Sequence, residues 1–259
     1  MHRKRLNILV ITQNDPFYLP TTVASLLKSL SQYHKVVGLI CLDGDPFGQK
    51  LSILRRFYET FSIFGAKFTL RYSLEFIFKK VFFRASVQNI VRDLGMTQLP
   101  VIGPINSKKN LDLIREVDPD LIISLTANQI FKRDLLSIPK YGCINLHTSQ
   151  LPSYRGIMPT FWALYNDEKR TGVSVFMIDD GIDTGPIIKQ EIVEINNRSH
   201  RDLILKTKRL GVKLLLEAVE NIATGAVAYI ENKGNQASYY GKPTRDDVRH
   251  FIKKGKRFF

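Results

Sequence analysis

This chain has very little cysteine, no long apolar run and no glycine-rich turn, and each absence narrows what it can be. Its two cysteines, Cys41 and Cys143, each end a short apolar stretch, so two core thiols are expected rather than a disulfide or a thiolate metal site. No CxxC, HExxH or His/Cys cluster is present, and no bound metal is expected. No apolar run reaches the roughly 18 residues of a membrane span. The opening MHRKRLNILVIT lacks the cleavage site of a signal peptide, so a cytoplasmic location is expected. The turn after the first apolar run reads QNDPFYLP; it is neither GxGxxG nor GxxxxGK[ST], so neither NAD nor ATP is implied. There are no internal repeats or low-complexity segments.

What is present is a chain of 259 residues, 44% hydrophobic and 24% charged, long enough to bury a sizeable core. The net charge of +14 is gathered in three segments, 1–5, 50–84 and 242–259, while the rest of the chain balances. Such a distribution suits a polyanionic partner, whether nucleic acid, anionic lipid or a phosphorylated substrate, and equally a merely solubilising surface.

The apolar runs Leu6 to Thr12, Val36 to Leu42, Leu99 to Ile102, Asp120 to Leu125 and Cys143 to His147 are short and continuous, as in strands buried on both faces. Helical patterns alternate with them: Val23, Leu26, Leu27 and Leu30; a helix capped by Ser86; another capped by Ser107; and the long stretch 201–224 ended by Gly225. The expected fold is α/β, a Rossmann-like, mostly parallel sheet with helices on both faces. Residues 1–200 would form the main domain and 201–259 a C-terminal helix and short basic tail packed on it. Residues 45–85 look like a basic helical insertion. Leu74, Ile77, Phe78, Val81 and Phe82 recur there at helical spacing, flanked by Arg71, Lys79, Lys80 and Arg84. The insertion is expected to be a cap helix whose Phe side chains join the core, with an anionic membrane or a partner protein as the other reading.

The chemistry concentrates in GCINLHTSQLPSYRGIMPTFWALYNDEKRTGVSVFMIDDGIDTG, residues 142–185. In parallel α/β sheets ligands bind beyond the carboxyl ends of strands, and His147 falls at such an end, with its imidazole expected in an open cleft. Asn145 lies two residues earlier and so points to the same face. An amide and an imidazole side by side suit a carbonyl that becomes an oxyanion. Asp183 follows in a glycine-bounded loop, where a carboxylate could fix the imidazole tautomer and relay a proton. No serine or cysteine is placed as a nucleophile, which favours direct attack by a substrate on a polarised carbonyl.

The run NLHTSQLPSYRGIMPTFWALYNDEKRTGVSVFMIDDGIDTGPII, with its Asn-x-His pair, SxLPxYRGxxP loop and Asp-bearing terminal segment, closely resembles folate-dependent formyltransferases. The similarity extends back over PDLIISLTANQIFKRDLLSIPKYGCINLH. The resemblance implies transfer of a formyl group from 10-formyltetrahydrofolate to a primary amine. Asn145 and His147 would stabilise the oxyanion and Asp183 would assist proton removal from the amine. The pterin would lie against the backbone of Gln129, Ile130 and Phe131 and of Asp180, Gly181 and Ile182. A loop with Ser149, Pro152, Tyr154, Arg155, Gly156 and Pro159 would close the site, with Tyr154 and Arg155 either touching substrate or stapling the loop.

The departures from the family pattern bear on the acceptor. The turn QNDPFYLP is unlike the phosphate loop of glycinamide ribonucleotide formyltransferases. The residues before Leu6 are expected to be too few for the N-terminal regulatory domain of formyltetrahydrofolate hydrolases. Residues 226–259 are expected to be too few for the C-terminal barrel of methionyl-tRNA formyltransferases. An amino sugar, nucleotide- or lipid-linked and destined for a surface polysaccharide, is the expected acceptor. Initiator tRNA is the alternative that the charge favours, and a non-catalytic folate or nucleic-acid binding module is a third.

Overall fold

The computed structural model describes residues 4–42, 52–82 and 86–259; part of the insertion, 45–51 and 83–85 with Arg84, lies outside them. The elements alternate along the first half: β1 (Asn7–Gln13), α1 (Leu19–Ser31), β2 (Lys35–Leu42), α2 (Ile53–Phe82), α3 (Val87–Asp93), α4 (Lys108–Glu116), β3 (Leu121–Leu125), α5 (Arg133–Leu136) and β4 (Cys143–His147). The second half carries β5 (Arg155–Gly156), α6 (Pro159–Tyr165), β6 (Arg170–Met177), β7 (Ile187–Glu194), α7 (His200–Thr224), β8 (Tyr239–Tyr240) and α8 (Arg245–Lys253). The main sheet has the order β2-β1-β3-β4-β6-β7. Its first four strands are parallel, and β6 and β7 are antiparallel additions.

The Val/Ile-rich strands are buried on both faces because helices cover both. One layer gathers Ile8, Val10, Ile123, Ile144 and Leu146 against α1, α6 and α7. The other joins Leu9, Ile11, Ile122 and Cys143 to α4 and α5. α1 begins with Pro20 in its first turn and buries Val23, Leu26, Leu27 and Leu30 completely, each burial contributing roughly 1.5–3 kcal/mol. Ser86 and Ser107 cap α3 and α4 by accepting the backbone N–H of Asn89 and Asn110, and a Ser199/Asp202 capping box starts α7. No helix among the described residues is long and apolar enough to cross a membrane.

Two expectations change. Residues 99–102 form no strand; an isolated bridge pairs Gln98 with Leu39, and Pro100, lacking an N–H, stops the ladder there. α2 is a helix broken at Gly65 (φ 79°, ψ 174°), and its inward face is not the stripe picked out by spacing. Leu74, Ile77, Phe78, Val81 and Phe82 are 51% to 71% exposed, whereas Ile63, Phe64 and Phe68 pack on the core and Tyr72 stacks on Phe17. The cations are partly engaged inside the protein: Lys79 donates to the Phe17 carbonyl and pairs with Glu75, and Arg71 stacks over Phe259.

Candidate active site

β4 delivers Asn145 and His147 to one face, the face on which Cys143 packs into the α4/α5 layer. The loop after β6 starts beside Cys143, where the Ile178 N–H donates to the Cys143 carbonyl. It then runs back along β4 until an Asp183 carboxylate oxygen stands 3.5 Å from His147 Nδ1. Asp183 holds a left-handed backbone conformation (φ 55°), which costs a non-glycine residue roughly 1 kcal/mol. The Asn232 side-chain amide steadies that turn by donating to the carbonyls of Asp183 and Gly185.

His147 is 6% exposed, so it does not stand in an open cleft: the 149–159 loop folds over it. Its Nε2 lies 2.7 Å from the Tyr154 carbonyl, and since a carbonyl only accepts, Nε2 carries a proton. The ring thus faces an acceptor at each nitrogen, a setting in which it can hold and pass a proton. Asn145, by contrast, makes no side-chain hydrogen bond among the described residues, and its buried Oδ1 is unsatisfied. Which end of the amide is oxygen depends on the partner it meets; an amide left open beside the imidazole is a donor waiting for a substrate oxygen. Burial pushes the Cys143 thiol up to about 12, which removes it as a nucleophile at neutral pH.

Most of the loop residues act as staples. Ser149 donates to the Ser153 carbonyl. Leu151-Pro152 is a cis peptide. Tyr154 donates its hydroxyl to Glu168 and stacks on Tyr240, so burial and that carboxylate push the phenol well up. The Arg155 guanidinium bonds the Asn232 carbonyl at 2.7 Å. Gly156 (φ 95°) donates its N–H to Asp183 at 2.8 Å, and a Cβ there would meet the Tyr240 carbonyl at 2.3 Å, so only glycine lets the chain pass. Pro159 opens α6. β5 pairs with β8, so Asn232, Ser238, Tyr239 and Tyr240 brace the 149–159 loop from a distant part of the chain. Sequence reading missed them.

The two loops expected to hold a pterin flank Asn145. Gln129 turns its side chain to Ile105 N–H and the Gly103 carbonyl, and Phe131 is buried in the core, while Ile130 is exposed. The backbone N–H groups of Gln129, Ile130 and Phe131 donate to no described residue. In the loop after β6, Asp180, Gly181 and Ile182 are exposed, with Gly181 N–H turned to the Asp179 carboxylate.

Beyond His147 on the other side lies a cavity of about 400 Å³ reached by Thr148, Thr126 and Met158. α2 lines it with Phe64, Phe68 and Tyr72, and α7 with His200 and Lys208. His200 is fully buried beside Thr160 Oγ1 (3.1 Å), and burial pushes its imidazole down to about 4.

The sheet, mostly parallel and covered by helices on both faces, is Rossmann-like, and an amide, an imidazole and a carboxylate gather at its strand ends. Residues 104–219 match the formyl transferase family. A methionyl-tRNA formyltransferase of Kosmotoga olearia is 36% identical over 165 residues, covering 62% of this chain and 52% of that protein. The chain spans about half the length of the curated relatives it matches. Among solved structures, an N-formyltransferase from Helicobacter canadensis, in complex with folinic acid and dTDP-3-aminofucose, superposes with TM-score 0.56 at 18% identity over 95% of this chain and 79% of its own. Glycinamide ribonucleotide transformylase 1 of Symbiobacterium toebii superposes with TM-score 0.62 at 17% identity, covering 88% and 92%. At these identities the two structures share the fold.

Proposed function

We propose that this protein transfers a formyl group from 10-formyltetrahydrofolate to a primary amine. The observation that carries the reading is the pairing of His147 with Asp183 beside the open amide of Asn145. The fit of a formyl-folate rests on the loops after β3 and β6, the two neighbours of β4, where the N–H groups of residues 129–131 have no backbone partner and residues 180–182 are exposed; both loops would hold the pterin. When bound, the folate supplies the one-carbon carbonyl. The Asn145 amide donates to that carbonyl oxygen as negative charge builds on it. The carboxylate of Asp183 would accept the proton that the attacking amine gives up, and His147, within reach of it, would hold that proton until it passes to the folate nitrogen, whose bond to the formyl carbon breaks as the new carbon–amine bond is kept. The loop 149–159 excludes water, so that the amine rather than hydroxide is the nucleophile.

For the acceptor, two readings stand on different observations. The curated relatives carry the name methionyl-tRNA formyltransferase, and the net charge of +14 agrees with a polyanion, which favours tRNA. An amino sugar, nucleotide- or lipid-linked and used in polysaccharide biosynthesis, is supported by the cavity of about 400 Å³ that Thr148, next to His147, helps to line, a size that suits a small molecule. Purified protein incubated with 10-formyltetrahydrofolate and, in parallel, nucleotide-linked amino sugars and charged initiator tRNA distinguishes them by mass spectrometry of the product. Formylation of one class assigns the acceptor; formylation of neither, in a folded preparation, overturns the reading.

A further inference from the structure

The floor of the cavity beside His147 holds a charge that nothing in the protein answers. Lys208 is on α7 and lines that cavity, 8% exposed. It stands in helical register with Ile204, Val212 and Leu215, on the face that the helix turns inward. Among the described residues its ammonium makes no hydrogen bond and no ion pair.

The carboxylates around it are committed elsewhere. Asp15 accepts the N–H groups of Phe17 and Tyr18 and acts on Lys208 only through space. Glu75 takes a two-pronged contact from Arg201 and a second from Lys79. His200, from the same helix face, is kept neutral at ordinary pH by its burial. Burial pushes the Lys208 ammonium down to about 8, so at neutral pH most molecules still carry the charge, at a cost in stability. Buried charges are ordinarily paired. A lysine left without a partner at the bottom of a cavity is completed by an anion that arrives in it.

The walls say what accompanies the anion. Phe17 stacks on Tyr72 at 4.3 Å and Phe64 on Phe68 at 4.6 Å, so a flat or apolar ring meets aromatic faces on its way in. The lining also includes Thr148, next to His147 in sequence, and Thr126, whose buried hydroxyl is unsatisfied. We propose that Lys208 receives a phosphate of the acceptor, and that the acceptor is a phosphate-bearing, ring-containing primary amine whose amino group reaches His147 and Asn145 from this cavity. This rests on the formyl-transfer reading above for the amine, but not for the anion.

The test uses the full chain and the variants Lys208→Met and Lys208→Arg. Inorganic pyrophosphate is the probe, titrated calorimetrically without any folate. Wild type is expected to bind it and Lys208→Met to bind ~10–100-fold more weakly, the scale of one lost charge-assisted hydrogen bond, with Lys208→Arg recovering part of the affinity. With turnover, the Michaelis constant for the acceptor rises by a similar factor in Lys208→Met while that for 10-formyltetrahydrofolate does not move. The size of that rise with a nucleotide-linked amino sugar against charged tRNA tells which molecule brings the phosphate. Without ligand, Lys208→Met is expected to melt at the same temperature as wild type or higher, because an unanswered buried charge is removed. Equal pyrophosphate affinity in wild type and Lys208→Met overturns the proposal, as does a lower melting temperature with unchanged acceptor kinetics, which marks a structural lysine. Absence of formylation with intact, Lys208-dependent pyrophosphate binding overturns the formyl-transfer reading alone.

Discussion

His147 is held between two acceptors, the Tyr154 carbonyl and the Asp183 carboxylate, and each contact makes a different prediction. Replacing His147 with Ala should lower kcat by ~10²–10⁴-fold while folate affinity, read by fluorescence titration, stays. Asn145→Ala removes the donor for the developing oxyanion and should cost ~10²–10³-fold; if it leaves kcat within a factor of three, the amide has no part in the chemistry. Asn232 touches no reacting atom in this scheme, yet its side chain holds the left-handed turn at Asp183 and accepts from the guanidinium of Arg155 at 3.3 Å. Asn232→Ala should therefore lower activity more than stability. His200 gives a pH signature. Its folded value of about 4 lies below the usual ~6.5, so between those values the unfolded chain binds a proton that the folded chain refuses. Stability contributed at neutral pH is lost as pH falls from ~6.5 towards 4, by about 3 kcal/mol at full extent. Melting temperatures measured across that window should fall in wild type and be flatter in His200→Gln.

At the scale of elements, the four parallel strands, the two serine caps and the long helix α7 were readable because each is announced by a local pattern. The motif Asn145-x-His147 was readable for the same reason: strand alternation alone places both side chains on one face. α2 was not, because it is apolar on two sides. Phe64, Phe68 and Tyr72 repeat at helical spacing as regularly as Leu70, Leu74 and Phe78, and nothing local says which set faces in. Phe17 and Phe258, which close on the first set, come from distant parts of the chain. A matched pair of substitutions tests the orientation. Phe68→Ala should destabilise by roughly 2–4 kcal/mol in urea unfolding, whereas Phe78→Ser on the exposed face should stay within about 0.5 kcal/mol. Equal costs would mean that the outer stripe is covered too.

Across the whole molecule, the loops proposed for the donor and the cavity proposed for the acceptor draw on very different stretches of the chain. The loops could be named from the sequence as an expectation, and the cavity could not. The loops, 129–131 and 180–182, follow β3 and β6, the two neighbours of β4. The cavity draws on the loop after β1, on α2, on α7 and on Phe258 and Phe259, and no periodicity connects residues so far apart. Even so, one trace was present: a lysine at 208 amid the apolar positions of a long helix. The bonds that set the catalytic loop come from Asn232, Ser238 and Tyr240, long after the sheet is complete in sequence. A nascent chain could therefore have its six strands assembled and still lack a set Asp183 turn. The Asp183 turn would be set only once Asn232 has been synthesised, later than the pairing of all six strands, so the order of synthesis itself would delay the site relative to its scaffold.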